Sequence, residues 1–575
     1  MKTLKAMKNI KDIKTFLLAG LVCFGMSAAL TSCESELDEV PDNRTEIDTP
    51  EKVQLLLVSG YPQAVPAVIC ELFGDNYVDN NVVKPGIHRS PYSDFHAEAY
   101  AWEDITNYSA GEDDTPYQTW EQYYQGIAVA NHAIAAMKEM SDDPAKDPEL
   151  SHSWGEAHVL RAYLHFVLVN VFAECYKDDT QSDADWGIPY VTEPEQTVNV
   201  NYGDTISREY LHSVKKTYDL IEKDLLEGID LIDDSKYKVP AYHFNKNAAN
   251  AFAARFYLYK RDYDSVIKYA NAALGGTAST MLRKWGSIST NTIDAMLNSF
   301  NDETAPCNFL LQSTYSLHDR LLSAIRFVCN DGNISMGVKS SKNAVYGGGP
   351  NWSNRLPAYD GKIFRYGEND DGSWLFRVYE YFEYSDKIAG IGWVHIIYQP
   401  FTAEETLLCR AEAYLYKGET EKARQDLETW TQSKQVDAPL TMADITKFYD
   451  SSKTKTQIAK DDYISELHPA EMSPEFKVLT GADLSMLYCI LHFRRIETMF
   501  EGLRWFDIKR YGILVRHVYR GPTDASSTVD ELEWNDPRRV LQIPRNVINA
   551  GYPSTDRATQ TNQSNPLTQK PQLVQ

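Results

Sequence analysis

Apolar and polar positions recur with helical spacing through most of the chain. In 119–140, TWEQYYQGIAVANHAIAAMKEM, the apolar and aromatic residues Trp120, Tyr123, Tyr124, Ile127, Ala130, Ile134 and Met137 fall three and four apart, the mark of an amphipathic helix. A polar break at 141–147 separates it from 155–176, GEAHVLRAYLHFVLVNVFAECY, which is apolar almost all round. A helix of that kind is expected to be buried, here as the second arm of a helical hairpin. Further helices are predicted over about 50–59, 208–232, 253–274, 403–430 and 482–512.

Two of these segments repeat one another. AARFYLYKRDYDSVIKYANAAL (253–274) and AEAYLYKGETEKARQDLETW (411–430) each carry a Tyr-Leu-Tyr-Lys block, and aligning the blocks sets Asp262 against Glu419 and Val266 against Ala423. Both are similar to the tetratricopeptide helix–turn–helix, whose tandem period is about 34 residues. The two copies lie 157 residues apart, so the pattern implies a solenoid split by an insert. The fold class expected is mainly α: tetratricopeptide-like helical hairpins in a superhelix, carrying a loop-rich, aromatic-rich insert over about 275–400. Within it, Gly347-Gly348-Gly349-Pro350 cannot lie inside a helix, and WLFRVYEYFEYS (374–385) has the β-propensity of a short hairpin. A second irregular stretch runs from Gly74 to Pro116. Loops this long in a compact protein are usually functional.

The N-terminus reads differently. Lys2, Lys5, Lys8, Lys11 and Lys14 precede a run almost without charge from Phe16 to Leu30. Fifteen helical residues rise only about 22 Å, short of a bilayer's hydrocarbon core, so 1–32 is expected to be a signal peptide. Thr31 and Ser32 before Cys33 form a site that a lipoprotein signal peptidase could cut, leaving Cys33 to carry a diacylglycerol. Residues 33–48 then form an acidic tether, and 49–575 a single domain.

The formal charge is −24, and it becomes more negative once the five N-terminal lysines and Asp12 are removed. Such a surface repels nucleic acid. The six cysteines after Cys33 include no CxxC pair, which argues against zinc and thioredoxin-type sites. Cys175, Cys409 and Cys489 sit in apolar helical contexts and are expected to be buried, while Cys307 and Cys329 could bridge in an oxidising compartment. Catalytic motifs are incomplete. None of the thirteen histidines makes H-E-x-x-H, Leu356 replaces the first glycine of a P-loop ending at Gly361-Lys362, and Val378 stands where an EF-hand begun at 369–374 needs its glutamate. Carboxylates are plentiful in 74–81, 102–107 and 111–116, but their separation cannot be read from sequence. The expectation is a binding protein, not an enzyme, without cofactor or metal.

Seven blocks in chain order resemble one family, the SusD/RagB nutrient-binding outer-membrane lipoproteins. They are SCESELDEVPDNR (32–44), WEQYYQGIAVAN (120–131), GEAHVLRAYLHF (155–166), GIPYVTEP (187–194), NKNAANAFAARFYLY (245–259), AEETLLCRAEAYLYKG (403–418) and RRIETMFEGLRWFDIKRYG (494–512). In the last block Glu497, Phe500, Glu501, Gly502, Arg504, Asp507 and Arg510 match the family signature, with departures at Phe493 and Thr498. Helix continuing through Gly502 would pair Arg494/Glu497, Glu501/Arg504, Arg504/Asp507 and Asp507/Arg510 and bury Phe493, Ile496, Phe500 and Leu503, a scaffold role. The resemblance implies a lipid-anchored, surface-exposed protein of the outer membrane. It would bind an oligosaccharide and deliver it to a TonB-dependent, SusC-like transporter. Capture of peptides, as in some members, or a tetratricopeptide scaffold with no small ligand are the alternatives. Because the two loop regions meet on one face in the family, ligand contacts are expected from Asp75, Tyr77, Asp79, Arg89 and Trp102 in the earlier loop and from Trp352, Tyr359 and Trp374 in the insert.

Overall fold

Many of the helices start where the sequence supplies a side-chain cap, which satisfies an amide that the first turn leaves unpaired. In the computed structural model α1 (Pro50–Val58) is capped by Thr49, which accepts from the Lys52 amide. After α2 (Ala67–Phe73), α3 (Pro116–Met140) has Thr115 as cap and proline in its first turn. It packs on α4 (Ser151–Phe172), whose residues are almost all buried, as its all-round apolarity requires. Ser213 caps α5 (Val214–Gly228), so this helix begins later than the sequence suggests, and Leu211–Ser213 pairs instead as a strand with Trp186–Pro189. The backbones of α4 and α5 touch: a Cβ on Gly228 would sit 2.4 Å from the Gly155 carbonyl oxygen. The structure describes residues 46–79, 82–83, 93–109, 111–194, 211–289, 291–322, 326–328, 348–353, 356–359, 376–452, 466–519, 528–555 and 572–573.

The two repeats are helical hairpins. α6 (Lys246–Lys260) and α7 (Tyr263–Leu274) join through Arg261, whose φ of 65° makes the tight turn, with Asp262 capping α7. Following α8 (Ile293–Phe300), the second hairpin is α9 (Ala403–Tyr416) and α10 (Thr420–Ser433), turning at Gly418 with φ 77°. α7 packs on α9, and the Tyr263 and Tyr416 rings stack with centroids 4.7 Å apart. Hairpins far apart in sequence are thus neighbours in the solenoid. α11 (Gly481–Glu497) and α12 (Leu503–Tyr511) close the helical layer. Helix does not continue between them, because Phe500 and Gly502 adopt positive φ. Of the pairs expected from continuous helix, Asp507–Arg510 forms at 2.7 Å. Arg494 turns instead to Asp507, Glu497 to Lys434 and Arg377, and Arg504 to Asp75. The apolar residues Phe493, Ile496, Phe500 and Leu503 are buried as expected, as are Cys175, Cys409 and Cys489. Cys307 is a buried free thiol, and Cys329 lies outside the described residues.

Two small sheets organise the irregular regions. The first runs β7–β6–β1–β3, from β1 (Val78–Asp79), β3 (Phe327–Val328), β6 (Val515–Tyr519) and β7 (Thr528–Leu532). The second is antiparallel, with β2 (Asn308–Thr314) and β4 (Tyr381–Asp386) on either side of the long β5 (Ile391–Thr402). The expected hairpin in 374–385 therefore contributes its end to β4 and finds its partner downstream, while Phe376–Val378 is a single 3-10 turn.

Candidate functional site

The residues singled out in the sequence lie mostly inside the protein. The Asp75 carboxylate accepts from Arg504 at 3.0 and 2.7 Å and pairs with Arg495 at 3.3 Å. Burial raises its pKa, but the two guanidiniums outweigh this and hold it well below the usual carboxylate range. Tyr77 is buried with its hydroxyl 3.0 Å from His318 Nε2, and Asp79 is buried against Arg326 at 3.1 Å. Trp102, 1% exposed, donates its indole N–H to the Phe73 carbonyl at 3.0 Å and stacks on His517 at 3.9 Å. Tyr359 is buried against Trp285, and the half-buried Trp352 leans on Phe493. The two regions do meet, since β1 pairs with β3, with Val78 opposite Val328. They meet in the core, however, so Asp75, Tyr77, Asp79, Trp102 and Tyr359 hold the fold instead of offering surface to a ligand. Arg89, Trp374 and Cys33 lie outside the described residues.

Aromatic side chains reach solvent elsewhere, on the β4–β5 hairpin. Its register sets Tyr381 opposite His395, Glu383 opposite Trp393 and Tyr384 opposite Gly392. Side chains alternate across a strand, so Tyr381, Glu383, Trp393 and His395 share one face and Phe382 and Tyr384 the other. Trp393, Phe382 and Tyr384 are 45%, 48% and 51% exposed. The turn is built by Asp386, whose carboxylate accepts from the Ile388 and Ala389 amides, and by Gly390 at φ 66°.

The first face is fixed in place by hydrogen bonds and stacking. Trp393 Nε1 donates to Glu383 Oε2 at 3.3 Å, and the Tyr381 and His395 rings stack at 5.6 Å. Gln399 Nε2 donates to Asn301 Oδ1 at 2.9 Å, and Asn301 Nδ2 donates to the Tyr381 hydroxyl at 2.8 Å. That hydroxyl is an acceptor here, which leaves its own proton to donate outward. Burial raises the Tyr381 pKa against the bond from Asn301, and the Tyr242 phenol and the Asp294 carboxylate are near enough to raise it further. Burial likewise lowers the His395 pKa, so the imidazole is neutral at pH 7. Tyr242, 38% exposed, extends the aromatic surface from the turn before α6, with Glu303 close enough to raise its hydroxyl pKa beyond what burial does. The arrangement presents flat rings with a hydroxyl, an amide and carboxylates at their edges. The sequence signal for it is aromatics on both faces of one strand, Tyr381 on the first and Phe382 and Tyr384 on the second, with Glu383 beside Tyr381.

Perturbed carboxyls occur away from this surface. Burial pushes Glu71 up to about 7 although Asn76 and the Gly502 amide donate to it, and it pushes Asp114 and Glu501 up to about 7 as well. All three are shut in the interior. Among the described residues no group of three or more His, Cys, Asp or Glu side chains is placed to hold a metal ion, and no helix is long and apolar enough to cross a membrane.

Comparison with known proteins places this architecture. Residues 37–258 match the SusD-like family profile described as "Starch-binding associating with outer membrane". A curated relative, SusD-like protein P38 of Formosa agariphila, is 27% identical over 282 residues, 47% of this chain; the match spans 46%, about half, of that protein. The crystal structure of a SusD superfamily protein from Bacteroides fragilis superposes with a TM-score of 0.56 at 16% identity, covering 88% of this chain and 99% of the other. A SusD-like carbohydrate binding protein from Bacteroides vulgatus gives 0.50 at 13% identity, covering 88% and 96%.

Proposed function

We propose that this chain, whose residues 37–258 match the SusD-like family profile, captures an oligosaccharide on the first face of the β4–β5 hairpin and passes it to a TonB-dependent, SusC-like transporter. The observation that carries the reading is the contrast between the loop aromatics Tyr77, Trp102 and Tyr359, which are buried, and the hairpin aromatics Phe382, Tyr384 and Trp393, which are about half exposed. Pyranose rings have apolar C–H faces and polar edges, so they suit flat aromatic surfaces rimmed by hydrogen-bonding groups. Trp393 and Tyr381 would stack against the sugar. The Tyr381 hydroxyl, Asn301 and Glu383 would take its hydroxyls, and Tyr242 would extend the platform to a second residue.

The family's association with the outer membrane agrees with anchoring through a lipid on Cys33, which keeps the domain at the surface on the 33–48 tether. The relative named as carbohydrate binding supports a glycan ligand over a peptide. Binding without turnover fits the burial of Glu71, Asp114 and Glu501, the carboxyls pushed up to about 7. Affinity electrophoresis of the protein through gels containing individual polysaccharides tests the proposal. Retardation by at least one polysaccharide, with its chain length unchanged after long incubation, is expected. Retardation by none of a broad panel, or release of shortened products, would overturn it.

A further inference from the structure

The charges around the aromatic face carry information on the ligand that its shape does not. The segments that carry Tyr381 and Trp393 and their neighbours, 293–304 and 379–395, contain Asp294, Asp302, Glu303, Glu380, Glu383 and Asp386 and a single cation, Lys387, while the turn that carries Tyr242 adds the exposed Lys238 and Lys246. Arg320, which approaches from outside these segments, is spent on Glu380 in a bidentate pair at 2.7 and 2.8 Å. His395, which shares the face of Tyr381 and Trp393, is held neutral because burial lowers its pKa more than the nearby Glu383 carboxylate raises it. Lys387 sits in the turn at the far end of the hairpin, beyond Trp393. No guanidinium or ammonium of the described residues in these segments is therefore placed to meet a carboxylate or sulfate lying across Tyr381 and Trp393. Recognition of such groups depends on bidentate arginine or a point charge from lysine. An anionic glycan stacked here would instead lie among carboxylates, where like charges repel at short range and weaken association from a distance.

We infer that the site selects uncharged glycans and rejects uronate-bearing and sulfated ones, with Asp294 and Glu303 as determinants of that selectivity. Asp294 lies on α8 and Glu303 just after it, on either side of Asn301, which donates to the Tyr381 hydroxyl, and both carboxylates act through their field on what the rings accept. The inference rests on the proposed glycan face, and it adds the chemical class of its ligand.

The test is calorimetry of the protein with matched oligosaccharide sets: neutral glucans, mannans and galactans, their uronate-containing counterparts, and sulfated derivatives of whichever neutral set binds. At low ionic strength the neutral ligand should bind at least about tenfold more tightly than its sulfated derivative. Raising the salt to 0.5 M should narrow that gap, because exposed charges are then screened over a few ångströms. Asp294→Asn with Glu303→Gln should narrow it at low salt as well, by about threefold or more in the affinity ratio. Equal or tighter binding of the anionic set, or a gap that moves with neither salt nor the double variant, would overturn the inference while leaving glycan capture standing. Binding of neither set would overturn the glycan reading and this inference together.

Discussion

Replacing Asp507 with asparagine should destabilise the protein by about 3–5 kcal/mol, because it leaves a buried cluster one negative charge short. The Asp507 side chain has no exposed surface and accepts from Arg494 Nε at 2.9 Å and Arg510 Nη2 at 2.7 Å. Arg510 also holds Glu412 at 2.8 and 3.1 Å, and Arg494 and Arg255 share Glu405 at 3.3 and 3.2 Å. Three guanidiniums thus face three carboxylates within the helical core, and neutrality makes their joint burial tolerable. Asp507→Asn keeps the side chain's size but leaves a net positive charge, and Arg494→Met alone leaves a net negative one. Made together, the two changes retain the Arg255–Glu405 and Arg510–Glu412 pairs and restore neutrality. The double variant should therefore lose about 1–3 kcal/mol less than the sum of the singles. Urea unfolding followed by tryptophan fluorescence and far-UV circular dichroism reads all four proteins. Single losses under about 1 kcal/mol, or additivity within about 0.5 kcal/mol, would refute the argument.

Other expectations follow from the same burial pattern. Trp102→Ala should cost about 3–5 kcal/mol, through its cavity and the orphaned Phe73 carbonyl, yet leave the glycan affinity of the folded protein unchanged; a thermal melt beside calorimetry separates the two effects. Glu71, raised from 4.5 to about 7, binds more protons folded than unfolded between those values, so its contribution falls as pH rises through that window. Glu71→Gln should accordingly flatten the fall in urea midpoint between pH 4.5 and 7.5, and an unchanged slope would contradict the assignment. Cys33→Ala should abolish labelling with a radioactive fatty acid and release the protein from membranes; persistent labelling would exclude Cys33 as the lipid site.

The helical part of the fold was legible because periodicity of three and four residues reports burial directly, as in α3 and α4. The split repeat was legible too, since Asp262 and Glu419 mark equivalent turns whatever lies between them. The site was less so. Asp75, Tyr77 and Trp102 read as surface because their segment is long and irregular, but pairing of Asp79 with Tyr519, across most of the chain, draws that segment into a sheet. Pairings at such separation leave no periodic trace. The exposure of Tyr384 and Trp393 was equally hidden, since aromatic strand residues usually signal a core. The signal available was that both faces of the strand carry aromatics, Tyr381 on one and Phe382 and Tyr384 on the other. Continuity of helix through Gly502 failed on backbone conformation. A glycine that close to α2, with a Cβ position 2.9 Å from the Ala67 Cα, serves the approach of two segments and breaks the turn on which the three-residue pairs relied.

The most direct test of glycan capture on the hairpin is the affinity of Trp393→Ala for the neutral oligosaccharide that binds best, measured by calorimetry beside the parent protein. Stacking on one ring is worth about 1–3 kcal/mol in the nucleobase case and should fall toward the lower end for a sugar, so about a tenfold loss is predicted. Trp393 is half exposed and packs on the surface of the hairpin, so the variant should melt with the parent. An affinity unchanged within twofold in a variant of unchanged stability would contradict the account.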